Sequence, residues 1–410
     1  MNATLRNLAA LSVLAIATTA VAQDRTWTGS GDGTNWSDAA NWNPDFTPIA
    51  GDSVLINTGS VNYDVDGNFV RNDLTTLNGT GTLNIIGKRF LIGGEPGASF
   101  TVADNASLVH DGEYFLIGLN NSGDFNQTGG TVTSTVSRGW FLSDNPVDTV
   151  STYDLTGGSL NVTLTGNGGN DLYNVRIGKN DSNDLFTIAG GDAVFTSAND
   201  QNNQRFYLQG DSQLELDSGS LTVNEFRFFS LGRDDAGIAA MTVNGGTFNL
   251  NLNENQDLRA FIVGGPGADG NANGLLTVNG GSINVVDGGM WLGDGSTGTV
   301  DQMAGDILLD ADLVLGRNTL GFYNMTGGTL DATNIVLGNA ADSLFTFGGG
   351  TITLDGDQTS LLSETWFNAT NGASANYNPA LDTTVITVPE PATAGLLLGV
   401  GVLAMRRRRH

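Results

Sequence analysis

The sequence predicts an all-β protein whose body is a parallel β-helix, or β-solenoid, of roughly ten coils. Composition is the first observation behind this. Among 410 residues there are 58 glycines and 8 prolines, and only 15% are charged, while Thr, Asn, Val and Phe are abundant. That mixture suits many short strands joined by tight turns. The second is a recurring phrase: FNQTGGTV at Phe125, YDLTGGSL at Tyr153, FTIAGGDA at Phe186, MTVNGGTF at Met241, LTVNGGSI at Leu276, YNMTGGTL at Tyr323 and FTFGGGTI at Phe345, with weaker copies at Leu214 and Val300. The third is the two-residue period inside each copy. Phe186 and Ile188, Met241 and Val243, or Tyr323 and Met325 point to one side, and the Thr or Asn between them to the other.

The copies recur at intervals of 28, 33, 28, 27, 35, 24, 23 and 22 residues, and most intervals also hold an apolar strand ending in glycine, such as FLIG before Gly118, VRIG before Gly178 and MWLG before Gly293. Fixed landmarks with elastic spacing mark a repeat architecture whose insertions are confined to loops. One unit cannot bury its apolar side, whereas stacked units can. Units of 22 to 24 residues are too short for propeller blades of about 40 residues or more. With strands about 4.8 Å apart, ten coils make a rod of roughly 50 Å.

Five segments follow in order. Residues 1–22 carry Arg6, a short apolar run and the small residues Ala20 and Ala22, the pattern of a secretory signal cleaved before Gln23. Residues 23–73, with Trp27, Trp36 and Trp42, form an amino-terminal cap in which packing is favoured over sugar stacking. Residues 74–354 are the repeats, and 355–388 a closing cap and linker. Residues 389–410 hold a charge-free apolar stretch, Ala392 to Met405, and a terminal arginine block. As a helix that stretch spans roughly 21 Å, short of a hydrocarbon core of about 30 Å. The arginines favour a short transmembrane helix with its end in the cytoplasm and the body outside.

Val388-Pro389-Glu390-Pro391, then the short apolar segment, then Arg406, Arg407, Arg408 and Arg409 at the very end resemble the PEP-CTERM sorting signal of Gram-negative bacteria. The resemblance covers only the last two dozen residues. It implies export through Sec machinery, transient anchoring in the inner membrane, handling by an exosortase, and association with exopolysaccharide and biofilm at the cell surface or in the extracellular matrix. The spaced tryptophans and the turn at Pro48, Gly51 and Asp52 resemble the opening of secreted autotransporter-like β-helical proteins, which supports the architecture.

Charge narrows the partners. Residues 23–388 hold 42 of the 43 acids and 12 of the 17 bases, a formal charge of −30. Such a surface repels phosphate backbones, so no nucleic-acid partner is expected. Without cysteine there is neither a disulfide framework nor a thiolate metal site.

The search for catalytic chemistry finds little. His110, the only histidine before the terminal residue, is expected at a surface or corner, and no second histidine accompanies it as a base. Arg176, Lys179, Asp181 and Asp184 cluster in VRIGKNDSNDLF but are expected in a solvated loop. GNGGNDLYN at Gly166 and DVDGN at Asp64 are incomplete calcium-site fragments, the latter placing Thr75 where an EF-hand needs glutamate. No cofactor is expected, and weak Ca2+ binding spread over acidic turns is the most these fragments support. The expectation is therefore a structural or adhesive protein rather than an enzyme. It would touch polysaccharide through loops near residues 164–174, 196–204, 251–259 and 265–274. The alternative is a secreted β-helical polysaccharide lyase or hydrolase, which requires acids and an arginine converging in one groove.

Overall fold

The computed structural model describes residues 23–144, 150–166, 173–179, 182–198, 204–254, 259–266, 271–370 and 372–388. Its strands stack as a parallel β-solenoid of about 13 turns, a rod of about 60 Å at 4.8 Å per turn. A coil contributes one rung to each of three ladders. The first ladder runs from Asp24–Trp27 through Ser53–Ile56, Leu74–Leu77 and Ala98–Val102 to Phe367–Ala369. The second runs from Ser60–Asn62 and Thr82–Ile86 to Thr351–Asp355. The third runs from Phe69–Arg71 and Phe90–Ile92 to Ile335–Leu337. Where corners are gentle one strand serves several ladders, and Gly123–Leu142 passes through all three.

The recurring phrase holds one register from Phe125 to Phe345. Phe125, Tyr153, Phe186, Leu214, Met241, Leu276, Val300, Tyr323 and Phe345 are paired in succession, each with the next. All are fully buried, as are Val132, Leu160, Leu221, Phe248, Ile283, Ile307, Leu330 and Ile352 after the corner. Aromatic rings stack along the axis, Phe125 on Tyr153 at 4.6 Å and Tyr323 on Phe345 at 4.7 Å between centroids. Two buried glutamines interrupt the apolar column, and the neighbouring tyrosine satisfies each. The Tyr153 hydroxyl donates to Gln127 Oε1 and the Tyr323 hydroxyl to Gln302 Oε1, both at 2.7 Å.

The two glycines of the corner serve different ends. The second adopts positive φ in every pair but Gly190-Gly191, as at Gly158 with +80°, a conformation that costs other residues strain. The first lies where a side chain would strike the coil below, since a Cβ on Gly157 would sit 2.6 Å from the Thr128 carbonyl oxygen.

The ladders already pass through strands within residues 23–73, assigned above to the amino-terminal cap, and this raises the turn number from about ten to about 13. These first coils turn at NTGS and NGTG rather than at a glycine pair. The three tryptophans close the end from inside. Trp27, Trp36 and Trp42 are at most 3% exposed, with ring centroids 5.1 and 4.7 Å from Trp42, and no ring face is open to a sugar. Asp52 holds this end together by accepting from the Gln23 and Ile49 backbone amides and from Arg25. At the other end Thr383–Thr387 runs antiparallel to Thr351–Asp355 and to Ser374–Asn378. An antiparallel rung ends a parallel ladder and removes an edge on which another chain could add.

Candidate functional site

The third ladder differs from the other two in its outward side. The first two present Thr, Ser, Asn and acids outward, among them Asp124, Asp154, Asp192 and Glu215. The third presents Leu91, Leu116 and Phe141, at most 8% exposed although they face away from the core, as a small second apolar cluster. This accounts for the unbroken triplets FLI in the sequence, because both sides of the strand are covered. The cover includes long cations. Of the 12 bases between residues 23 and 388, all but Arg25 lie on a strand of the third ladder or within two residues of one.

Many of these cations rest on aromatic rings. The guanidinium carbons of Arg89 and Arg138 lie 5.1 and 5.5 Å from the Tyr114 ring centroid. Arg176 is 4.3 Å from Phe141, Arg233 5.4 Å from both Tyr207 and Phe228, and Arg317 3.7 Å from Trp291. Among the described residues, the hollows along this seam include the following two. One, of about 440 Å³, lies beside Trp291 and is lined by Arg259 and the acids Asp287, Asp310 and Asp312. The other, of about 340 Å³, has Leu91, Leu116 and Phe141 as its floor and Arg89, Tyr114, Arg138, Asp144, Arg176 and Lys179 around it.

The second hollow is the candidate site, because cations outnumber acids there on an otherwise acidic rod. Arg89 Nε donates to Glu113 Oε2 at 2.7 Å, which holds the Glu113 carboxyl below its usual range. Arg138 donates to the Tyr114 hydroxyl at 3.1 Å. One carboxylate oxygen, Asp144 Oδ1, serves two cations, Arg176 at 2.6 Å and Lys179 at 2.5 Å.

Two expectations from the sequence are corrected at buried residues. Asp184 is not in a solvated loop; it is fully buried and accepts from the Ser151 amide at 2.7 Å and the Ser182 hydroxyl at 2.5 Å. Burial pushes its carboxyl up to about 6, against the Ser182, Ser151 and Ser143 hydrogen bonds and Arg176. Of the surface or corner position expected, His110 takes the corner, just before the register shift at Gly112, and is only 1% exposed, with Nδ1 2.9 Å from Ser134 Oγ and Nε2 3.0 Å from the Lys88 carbonyl oxygen. A carbonyl only accepts, so Nε2 carries the proton and Nδ1 accepts from Ser134. Burial lowers the ring to about 4. With one nitrogen donating to a carbonyl and both enclosed, it is a structural residue rather than a base.

These groups oppose each other with pH. Asp184, raised from 3.8 to about 6, favours the protonated fold, so its contribution is complete below about 3.8 and lost as pH rises through 6. His110, lowered from 6.5 to about 4, contributes fully above 6.5 and loses this as pH falls through 4. Each spans about 3 kcal/mol at 1.36 kcal/mol per pKa unit. Asp184→Asn is expected to be more stable than the parent at pH 7 and to lose about 2–3 kcal/mol more on acidification to pH 4. Urea unfolding at the two pH values checks this, and parallel curves for the two proteins would contradict the assignment.

The other sites expected from the sequence are partly placed. Ala20, Ala22, Pro389, Glu390, Pro391 and Arg406 to Arg409 lie outside the described residues, as do the loop centres 167–172, 199–203, 255–258 and 267–270, and Asp181. Asp64 is engaged by the Ser37 amide and hydroxyl. Among the described residues no three His, Cys, Asp or Glu are grouped to hold a metal. No helix there is long and apolar enough to cross a membrane. Sequence reasoning missed the arginine seam; counting cations from the glycine that ends each apolar triplet would have found it.

Residues 387–409 match the PEP-CTERM protein-sorting motif, a span that includes Val388 to Pro391 and Arg406 to Arg409. The motif marks a surface protein sorted by an exosortase, here with a β-solenoid body. No curated protein and no solved structure matches the chain.

Proposed function

We propose that the protein is a structural and adhesive component of the cell surface or extracellular matrix of a Gram-negative bacterium, where its rod associates with exopolysaccharide in biofilm. Export through Sec machinery, transient anchoring in the inner membrane and exosortase cleavage near Pro389-Glu390-Pro391 bring it there. It acts as a passive rod, with no catalytic step and no resident cofactor. The observation that carries this reading is the sorting motif on a rod whose aligned core residues are fully buried. Stiffness and reach are what such a body supplies.

A second reading, a polysaccharide lyase or hydrolase, draws on Asp144, Arg176 and Lys179 meeting in one hollow. Against it, Asp144 is held by both cations and Asp184 is sealed beneath. Incubation of the exported protein with its producer's exopolysaccharide separates the two. Cosedimentation with undiminished chain length is expected, and shortened chains would establish the enzyme. Mass spectrometry of the exported protein is expected to show a carboxyl terminus that lacks Arg406 to Arg409; an intact arginine block would refute processing.

A further inference from the structure

Resting on the matrix reading above, we infer that the hollow between Arg89 and Lys179 is the glycan site, and that its ligand is a polysaccharide bearing carboxylate groups, laid along the rod axis. Charge is the first reason. Arg89 is matched by Glu113, and Asp144 answers only one of Arg176 and Lys179, so with Arg138 the rim keeps two positive charges in excess, one of which the buried Asp184 near Arg176 offsets once it ionises. It does so within a body whose formal charge is −30. The acidic outer sides of the other two ladders repel polyanions, which favours this hollow as the place where one settles.

Presentation is the second reason. Arg89 and Arg138 both lie against Tyr114, and Arg176 lies on Phe141. Stacking fixes a guanidinium plane while its N–H edge stays available for a carboxylate. Arg176, only 7% exposed, also keeps an Nε with no hydrogen-bond partner among the described residues. Cations already ordered lose less entropy when a ligand arrives.

Shape is the third reason. Arg89 precedes the rung Phe90–Ile92, Arg138 the rung ending at Leu142, and Arg176 and Lys179 belong to the next, Val175–Ile177. At about 4.8 Å per rung these cations span three rung spacings, roughly 14 Å. That distance suits a few consecutive sugars of an extended chain. The apolar floor of Leu91, Leu116 and Phe141 suits the C–H faces of sugar rings.

Affinity electrophoresis of the exported protein through gels containing polygalacturonate or dextran tests this. Retardation by polygalacturonate at low salt, fading as salt rises, with none by dextran, is expected. Arg138→Gln combined with Lys179→Gln, two partly exposed positions, should weaken it about tenfold with the melting midpoint unchanged. Equal binding by parent and double variant, equal retardation by dextran, or displacement of polygalacturonate by a single-stranded oligonucleotide would each overturn the site. A double variant that still cosediments fully with the producer's exopolysaccharide would sink the hollow and leave the matrix reading standing. A parent that ignores that exopolysaccharide yet is retarded by polygalacturonate would support the hollow and sink the matrix reading.

Discussion

Gly158→Ala is expected to destabilise the rod by about 4 kcal/mol, more than an alanine substitution at a positive-φ glycine that has open space around it. Two costs add. At a φ of +80° a Cβ brings strain of about 1–2 kcal/mol. The new methyl would also lie well inside contact distance of the Gly130 carbonyl oxygen and 2.5 Å from the Gly129 carbonyl carbon. Both atoms are backbone of the coil below, paired on either side of the corner, and cannot swing away as a side chain would. Overpacking of this kind adds about 1–3 kcal/mol or more. Gly97 provides the control, for its φ is +85° but nothing stands within 4 Å of its Cβ. Gly97→Ala should therefore cost only the strain, about 1–2 kcal/mol. Urea denaturation followed by circular dichroism compares the two, and equal losses would mean that close stacking of corners is not what the paired glycines serve.

The same contrast explains what could be read from the sequence. The glycine corners and the alternation on either side of them depend on neighbours one or two residues away, so the first and second ladders were legible and their inward residues are buried as expected. His110 was within reach of the same rule. It stands two residues after Leu108 on one strand, opposite Ser134 on the next, so alternation places it inward. Its polar neighbours Asp111 and Glu113 suggested a surface turn instead. Asp184 could not be read in this way, because its burial is set by Ser151 and Ser143 from an earlier coil. The candidate site was hidden for a related reason. Arg89, Arg138 and Arg176 are separated by 49 and 38 residues and become neighbours only when the third ladder's register is known, and its uninterrupted apolar triplets give no alternation to reveal which residue points outward.

Trp140→Ala is expected to cost about 4 kcal/mol, within the 3–5 kcal/mol of a fully buried tryptophan emptied to alanine. Trp140 is 0% exposed and sits where the inner sides of the ladders meet, with ring centroids 6.0 Å from Phe115, 5.8 Å from Tyr153, 5.9 Å from Phe186 and 5.3 Å from Phe195. These rings come from the coil before Trp140 and the two after it, so the cavity falls at a junction. In a stacked architecture each coil touches only its neighbours, and stability is close to a sum of coil and interface terms. A weakened junction therefore divides the rod, and the denaturation curve should show two steps where the parent shows one. Trp140→Phe should cost much less, because it keeps an aromatic ring and removes a buried Nε1 that has no hydrogen-bond partner. Since Phe141 beside it forms the floor of the candidate glycan site, Trp140→Ala should also weaken polygalacturonate retardation, whereas Trp140→Phe should leave it unchanged. If Trp140→Ala melted in one step with its glycan retardation intact, the junction would not be the place where the rod's halves are joined or where the site takes its support.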